Sequence, residues 1–318
     1  MRQRNFKALI LTGSKGQARW RVGLVTEYPA TAVPGEALRI LAKLASQKAG
    51  NALRILVACD SPLVPKELMQ AITVNKIQGG ALFGGALTEV DSTFTLSALP
   101  LIKGEALNAG HLETQQFRHR FTRAFGLHRQ RLVATVPMPP TGLWTLEPVK
   151  TAQSLTGLRI RTYDALSQSI FQMLGANASN LPFAQIEAAL SDKRIEGVLS
   201  SGDGAAGKRL SAIFPHYLAL NYAIPVTFLV LNESTLADMP HCMQRGIIWA
   251  GAETERRYWE AISSRTQSNY QRLRDNGIIV QTDVPPCLAH LLQDAAHQCR
   301  WQTLTQLTVA NQNANTAA

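Results

Sequence analysis

The strongest constraint on this chain is a repeated exchange of two apolar periods. Trp20 to Thr26 is a short apolar run of strand character, and Pro29 and Pro34 break the segment after it. Leu38, Leu41, Ala42 and Ala45 then recur at helical spacing up to the stop at Gly50. Leu53 to Cys59 returns to a strand-like run. A β-α-β opening of this kind predicts an α/β fold, because parallel strands can be joined only through a crossover. Folds built this way collect ligands at the carboxyl ends of their strands.

The alternation continues along the chain. A helix is predicted at Pro65 to Asn75, then a glycine-rich strand and turn at Gly79 to Gly85, a helix over 113–127 and a strand at Arg131 to Val136. Pro137, Pro139, Pro140 and Pro148 crowd a stretch that reads as a crossover between two lobes. A second β-α-β unit comes next, with strand Leu158 to Thr162, helix Leu166 to Leu174, a Pro182-Phe183 turn into helix Ala184 to Ser191, and strand Gly197 to Ser200. Ala223 to Asn232 is apolar on both faces and is predicted as a buried parallel strand. Ile247 to Asn276 reads as one long helix, stopped by Gly277 before strand Ile278 to Gln281, and the Asn, Thr and Ala-rich tail after Gln306 reads as disordered.

These patterns predict a leader over 1–19, one lobe from 20–138 with 227–266, a second from 139–226 with 267–306, and a tail over 307–318. The segment Met1 to Trp20 begins with Arg2, Arg4 and Lys7, but its apolar part, Ala8 to Leu11, is short for a secretory core, so it reads as a degenerate signal peptide at best.

Composition narrows the function classes. The 318 residues are 46% hydrophobic, enough for a sizeable core, and no run of about 18 apolar residues exists to span a bilayer. A net charge of +10 favours acidic partners, from small anions to nucleic acid or an anionic surface. The densest basic stretch holds Arg118, Arg120, Arg123, Arg129 and Arg131, but its aromatics, Phe117, Phe121 and Phe125, recur every fourth residue. That spacing makes a buried helix stripe rather than a base-stacking surface, so nucleic acid is not expected as a partner. The cysteines Cys59, Cys242, Cys287 and Cys299 form no CxxC pair or Cys/His cluster of zinc spacing, which predicts no metal. In an oxidising compartment Cys287 and Cys299, flanking a helical stretch, are a candidate pair.

Catalytic signatures are missing: there is no GxSxG, no HExxH and no paired acidic motif, and the seven histidines do not cluster. No enzyme and no cofactor are expected. Gly202 to Lys208 satisfies two glycine-rich phosphate patterns, yet Arg209 stands where a Ser or Thr would ligate magnesium, and Asp203 would face the phosphates. The Leu158 to Thr162 strand is more telling. Arg159 and Arg161 share one of its faces, where a guanidinium fork matches a carboxylate with two parallel hydrogen bonds. Two solvated arginines on an edge strand are the plainer alternative.

Leu155-Thr156-Gly157-Leu158-Arg159-Ile160-Arg161, then Leu174-Gly175-Ala176, Pro182-Phe183, Ala189-Leu190 and Glu196-Gly197, resemble in order and spacing the solute receptors of tripartite ATP-independent periplasmic (TRAP) transporters. Thr26-Glu27-Tyr28-Pro29 upstream, and Val230-Leu231-Asn232 before Met239-Pro240 downstream, are similar too, so the resemblance runs from about Trp20 to Gln281. It implies a periplasmic binding protein type II-like fold: two α/β lobes joined by crossing strands and a long helix, closing on a ligand held between them.

The same resemblance places the family's carboxylate-binding arginine on Arg161 and a ligand-packing phenylalanine on Phe183. Ser200 falls where several sialate-type members carry asparagine, a departure that argues against a sugar acid. Tyr28, Phe83, Gly84, Trp144, Tyr163, Asp203 and Asn221 are the further expected wall residues, with Trp144 either a stacking wall or a packing residue at the hinge. One arginine among aromatics suggests a monocarboxylate with an apolar or ring substituent. The implied function is capture of such an acid in the periplasm for delivery to the membrane permease subunits. Two other classes stay open at this point. One is a cytoplasmic small-acid sensor or scavenger on the same fold; the other is a nucleotide-binding enzyme using Gly202 to Lys208.

Overall fold

The computed structural model describes residues 20–101 and 107–316, and the leader expected over 1–19 lies outside them. In chain order the elements are β1 (Trp20–Val25), α1 (Val33–Lys48), β2 (Leu53–Ala58), α2 (Pro65–Thr73), β3 (Gly79–Phe83), α3 (Leu107–Leu127), β4 (Gln130–Pro137) and β5 (Gly142–Thr145). They continue as β6 (Arg159–Thr162), α4 (Ala165–Met173), β7 (Asn177–Asn180), α5 (Ile186–Ser191), β8 (Gly197–Ser200), α6 (Gly204–Ser211), β9 (His216–Leu218) and β10 (Val226–Asn232). α7 (Glu233–Ala237), α8 (His241–Asp275), β11 (Ile279–Gln281) and α9 (Pro286–Thr316) complete the chain.

The described chain divides into two compact units. The first takes residues up to Phe83, His119–Val136 and Thr227–Tyr258; the second takes Gly84–Arg118, Pro137–Val226 and the residues from Trp259 onward. The expected division differs from this chiefly in one segment, since 84–118 belongs with the second unit rather than with β1 to β3. Apolar spacing within this segment is local and carries no record of which sheet it packs on.

The first unit is a five-stranded sheet in the order β2-β1-β3-β10-β4. β1 lies parallel to β2 over its whole length, Trp20 opposite Leu53 to Val25 opposite Ala58, and parallel to β3 at Leu24 and Val25. β10 runs antiparallel to β3, with Thr227 opposite Phe83, although its seven residues are all buried. The parallel expectation is thereby corrected: burial on both faces makes a strand uniformly apolar, whichever way it runs. Phe121 and Phe125 of α3 close on Phe228 of β10 at ring-centroid distances of 4.8 and 5.2 Å, so the Phe stripe is core as its spacing predicts.

The second unit is a six-stranded sheet in the order β11-β9-β5-β8-β6-β7. β6 is parallel to both its neighbours, β7 and β8, whereas β5 is antiparallel to β8 and β9. One side of this unit buries Leu143, Ile160, Phe171 and Leu199 against Leu288, Ala295 and Cys299 of α9. The other buries Trp144, Val198, Leu210 and Phe214 against Tyr270 and Leu273 of α8.

Three expectations about the carboxyl-terminal third need revision or extension. The long helix begins earlier than the apolar pattern indicated and runs for 35 residues as α8. Helix α9 continues to Thr316, where a disordered tail was expected from residue 307. Asn and Thr are weak helix formers but do not stop a helix already nucleated upstream. Cys287 and Cys299 both lie on α9 and are unbridged. Twelve helical residues separate them by roughly 18 Å, far beyond disulfide reach.

Candidate functional site

Strand β6 carries the two arginines that the sequence singles out. Its alternation turns Arg159 and Arg161 to one face, but their surroundings differ. Arg159 is part-exposed and paired with Glu196 at 2.6 Å, while Arg161 is only 5% exposed. Burying a guanidinium is costly unless its donors are met. Arg161 donates from Nε to the Leu181 carbonyl at 2.6 Å and from Nη1 to the Leu199 carbonyl at 3.2 Å. These carbonyls belong to the segment after β7 and to β8, the strands flanking β6, so the sheet's own register locks the guanidinium at its carboxyl edge. Phe183 lies beside it, with the guanidinium carbon 5.9 Å from the ring centroid.

Just past β6, Asp164 caps α4 and accepts from the Ser167 backbone N–H at 2.7 Å and from Ser167 Oγ at 2.6 Å. Burial pushes its carboxyl above the usual range, opposed by the Ser167 hydrogen bonds and by the charge of Arg161. Burial, reinforced by the Asp164 charge, likewise pushes the Tyr163 hydroxyl well up, and the part-buried Tyr163 ring packs against the core of the second unit.

The remaining expected residues divide by unit. In the second unit Trp144 is wholly buried. It stands 5.0 Å from the Tyr217 ring and donates from Nε1 to the Ser200 carbonyl at 3.3 Å. That is the packing alternative, not a stacking wall. Ser200 ends β8 and accepts the Gly202 N–H on its hydroxyl at 3.2 Å. Asp203 is committed elsewhere, to Arg265 at 2.8 Å and Arg272 at 3.7 Å on α8. Exposed Asn221, at a positive φ of 49°, accepts from the Tyr270 hydroxyl at 2.8 Å. Gly84 opens a short 3-10 turn. Arg161 and Phe183 are therefore brought together, and so are Trp144, Ser200 and Asp203, but as a packed turn.

The glycine-rich loop is explained by the same turn. Gly202 adopts a φ of +64°, with the Trp144 ring packed so tightly on its α-carbon that a side chain would overlap it. Its carbonyl accepts from Arg272 Nη2 at 3.1 Å, and Gly207 of α6 packs directly on that carbonyl. With Asp203 held by two arginines, the loop serves as a clamp point for α8 and offers phosphates an acid. The clamp residues Arg265, Asn269 and Arg272 were missed from sequence; their i, i+4, i+7 spacing on a helix was the available signal.

In the first unit Phe83 ends β3 and Tyr28 lies just beyond β1, both part-buried. Glu27, inside the quoted Thr26-Glu27-Tyr28-Pro29 motif, was passed over. Burial lifts its carboxyl from 4.5 to about 7. This unit also holds a cavity of about 490 Å³ lined by Thr73, Asn75, Arg129, Asn232 and Glu233, at the end of the sheet where β3 begins, and none of the expected site residues lines it. Among the described residues no group of three His, Cys, Asp or Glu side chains is placed to hold a metal ion, and no helix is long and apolar enough to cross a membrane.

Compared with known families, residues 24–300 match the model of the bacterial extracellular solute-binding proteins, family 7. The chain belongs to this family. Family 7 members are solute-binding receptors of transport systems, and the two-lobed type II-like α/β architecture expected from the sequence is the one found. Solved structures show the same fold. One is the extracytoplasmic solute receptor DctP7 of Bordetella pertussis, which binds pyroglutamic acid; it is 23% identical, with a TM-score of 0.81, covering 89% of this chain and 94% of that one. A marine-metagenome TRAP protein specific for pyroglutamate is 18% identical, with a TM-score of 0.82 over 92% and 95% of the two chains. A TRAP periplasmic protein of Desulfovibrio salexigens with bound orotic acid is 14% identical, with a TM-score of 0.80 over 93% and 96%. No curated protein matches the chain by sequence.

Proposed function

We propose that this family 7 protein is the periplasmic receptor of a TRAP transporter, which takes up a ring-bearing monocarboxylate through Arg161 and hands it unchanged to a membrane permease. The observation that carries the reading is the state of Arg161: a buried guanidinium, fixed by two backbone carbonyls at the carboxyl edge of β6, with an aromatic ring at its side. Two carbonyl dipoles orient the fork, and a planar fork matches a carboxylate with two parallel charge-assisted hydrogen bonds. Phe183 and Tyr163 favour a flat or apolar body on the acid. Pyroglutamate and orotate, the ligands of the three similar structures above, are both acids on a ring, and they are the first candidates here.

Binding would stabilise the form in which the acid's contacts are complete, which is how a receptor signals that it is loaded. The nucleotide-enzyme reading is disfavoured by the double arginine pairing of Asp203 in the glycine-rich loop. A thermal-shift screen of the purified protein against heterocyclic, aryl, keto and sugar acids, beside ATP and NAD, tests the proposal. A ligand at 100 times its Kd adds roughly 2.7 kcal/mol, a rise of several degrees for a chain this long. Response to one class of ring acids supports the reading; silence from every acid with a response to a nucleotide reverses it.

A further inference from the structure

At the carboxyl end of α3 the first unit gathers cations without counter-charges. No Asp or Glu occurs between Thr114 and Val136. Arg120, Arg123 and Leu127 fall at i, i+3 and i+7, on the flank of the helix beside the buried Phe stripe. Arg129 and Arg131 follow, and none of these four arginines makes an ion pair among the described residues.

Hydrogen bonds tie the neighbouring chain ends to this corner. Buried Gln130 donates from Nε2 to the Met69 carbonyl at 2.8 Å and to Thr73 Oγ1 at 3.1 Å, which sets the end of α2 beside the start of β4. The Arg129 N–H donates to the Gly126 carbonyl at 2.9 Å, and the Arg129 carbonyl accepts from the Glu233 N–H at 2.8 Å. Arg129 is thereby held, at a left-handed φ of 53°, in the lining of the cavity of about 490 Å³. From just past α2, Val74 lines the same cavity and Lys76 is exposed. The acid in the lining, Glu233, is exposed and forms no ion pair with these cations among the described residues.

Two apolar side chains stand clear of the core at this corner: Leu127 is 73% exposed and Val74 52%. A lone exposed leucine means little. One placed a helical turn beyond Arg123 and two residues before Arg129 combines the features that hold a protein on an anionic bilayer, cations for the headgroup phosphates and apolar groups that enter the boundary beneath them. An acidic polypeptide would meet the cations as well, but two apolar side chains are too few for the buried centre of a protein interface.

We infer that this corner of the first unit is a docking surface for anionic phospholipid bilayers, on which Lys76, Arg123, Arg129 and Arg131 meet headgroup phosphates and Leu127 and Val74 enter the headgroup region. The inference goes beyond the receptor reading and does not depend on which acid is bound.

The test is co-sedimentation of the full chain with vesicles of pure phosphatidylcholine, and with vesicles of equal parts phosphatidylcholine and phosphatidylglycerol. The native protein should bind only the anionic vesicles, and less tightly as salt rises. Each cation near such a surface is worth roughly fivefold in affinity, so Arg123→Glu/Arg129→Glu should bind at least about 20-fold more weakly. Leu127→Ser should lose at least about threefold. Lys150→Glu/Lys193→Glu makes the same change in net charge on exposed residues of the second unit and should bind as the native protein does. Melting curves establish that each variant is folded. Equal binding to both kinds of vesicle, or an equal loss in the second-unit variant, overturns the inference. So does release from the vesicles by inorganic phosphate at constant ionic strength, which would mark a site for free phosphate, or binding to soluble polyglutamate with none to vesicles, which would mark an acidic protein partner.

Discussion

Asp203 and Arg265 form a hydrogen-bonded ion pair at 2.8 Å, with only 3% of the Asp203 side chain exposed. Arg272 approaches the second carboxylate oxygen at 3.7 Å, and between the arginines Asn269 donates to the Ser201 carbonyl at 2.8 Å. One face of α8 therefore grips the Ser200–Asp203 turn. Removing one partner of a buried pair leaves the other uncompensated, at about 3 to 5 kcal/mol. Asp203→Ala is expected to lower the melting temperature by at least about 5 °C. Acid affinity, measured well below melting, should change less than about threefold, since the carboxylate is spent on α8. A large affinity loss with unchanged melting would return Asp203 to the ligand wall.

The same turn predicts a coupling between Gly202 and Trp144. Alanine at Gly202 must adopt a left-handed φ and intrude on the indole, so Gly202→Ala should cost about 2 to 4 kcal/mol. Trp144→Phe removes the part of the ring that the new methyl would strike. A double-mutant cycle by urea denaturation should show the Gly202→Ala cost falling by about 1 kcal/mol in the Trp144→Phe background. Additive costs would show that the backbone conformation alone is at fault.

These residues also show what could be read from sequence and what could not. The fold was legible because strand and helix periods depend on local spacing, as in the Leu38 to Ala45 stripe and the run from Val226. That Arg159 and Arg161 share a face was legible because alternation on a four-residue strand fixes which side chains lie together. The direction of β10 was not, since uniform burial erases the pattern that distinguishes parallel from antiparallel neighbours. Whether Trp144 is a wall or a packing residue was not legible, because an aromatic reads alike in a pocket and in a core. Its hydrogen bond to the Ser200 carbonyl and its contact with Gly202 are long-range facts. The ion pairs of Asp203 were not legible either, since its partners Arg265 and Arg272 lie about sixty residues away on α8, a separation no local motif records.

Arg161 and Phe183 should separate in kind. Arg161→Ala removes the charge that meets the carboxylate, and binding should weaken by at least about 30-fold, by analogy with truncated buried pairs worth about 2 to 5 kcal/mol. Arg161→Lys keeps the charge but cannot reproduce the fork held by the Leu181 and Leu199 carbonyls, so about a tenfold loss is expected. Phe183→Ala should lose about 1 kcal/mol or slightly more of binding, close to tenfold. Calorimetry on the three variants checks that Arg161→Ala loses the most and that Arg161→Lys loses at least as much as Phe183→Ala. Full affinity in Arg161→Lys would mean that charge alone, not the fork, is read.

Glu27 predicts a pH dependence whose sign can be worked out. Its carboxyl titrates near 4.5 when unfolded and near 7 in the folded protein, because burial disfavours the charged form. Between those values the folded state binds more protons than the unfolded one, so stability falls as pH rises through the window and levels off above it. At about 1.4 kcal/mol per pH unit, discounted for the part of the side chain that water reaches, the effect is on the order of 2 kcal/mol. Glu27→Gln cannot ionise, so its stability minus that of the native protein should climb from about pH 4.5 to 7 and be flat above about 7.5. Other carboxyls, Asp164 among them, titrate in both proteins and cancel in the difference. Urea denaturation at about five pH values spanning that window measures the curve, and a flat difference throughout would mean that Glu27 ionises as an ordinary surface acid.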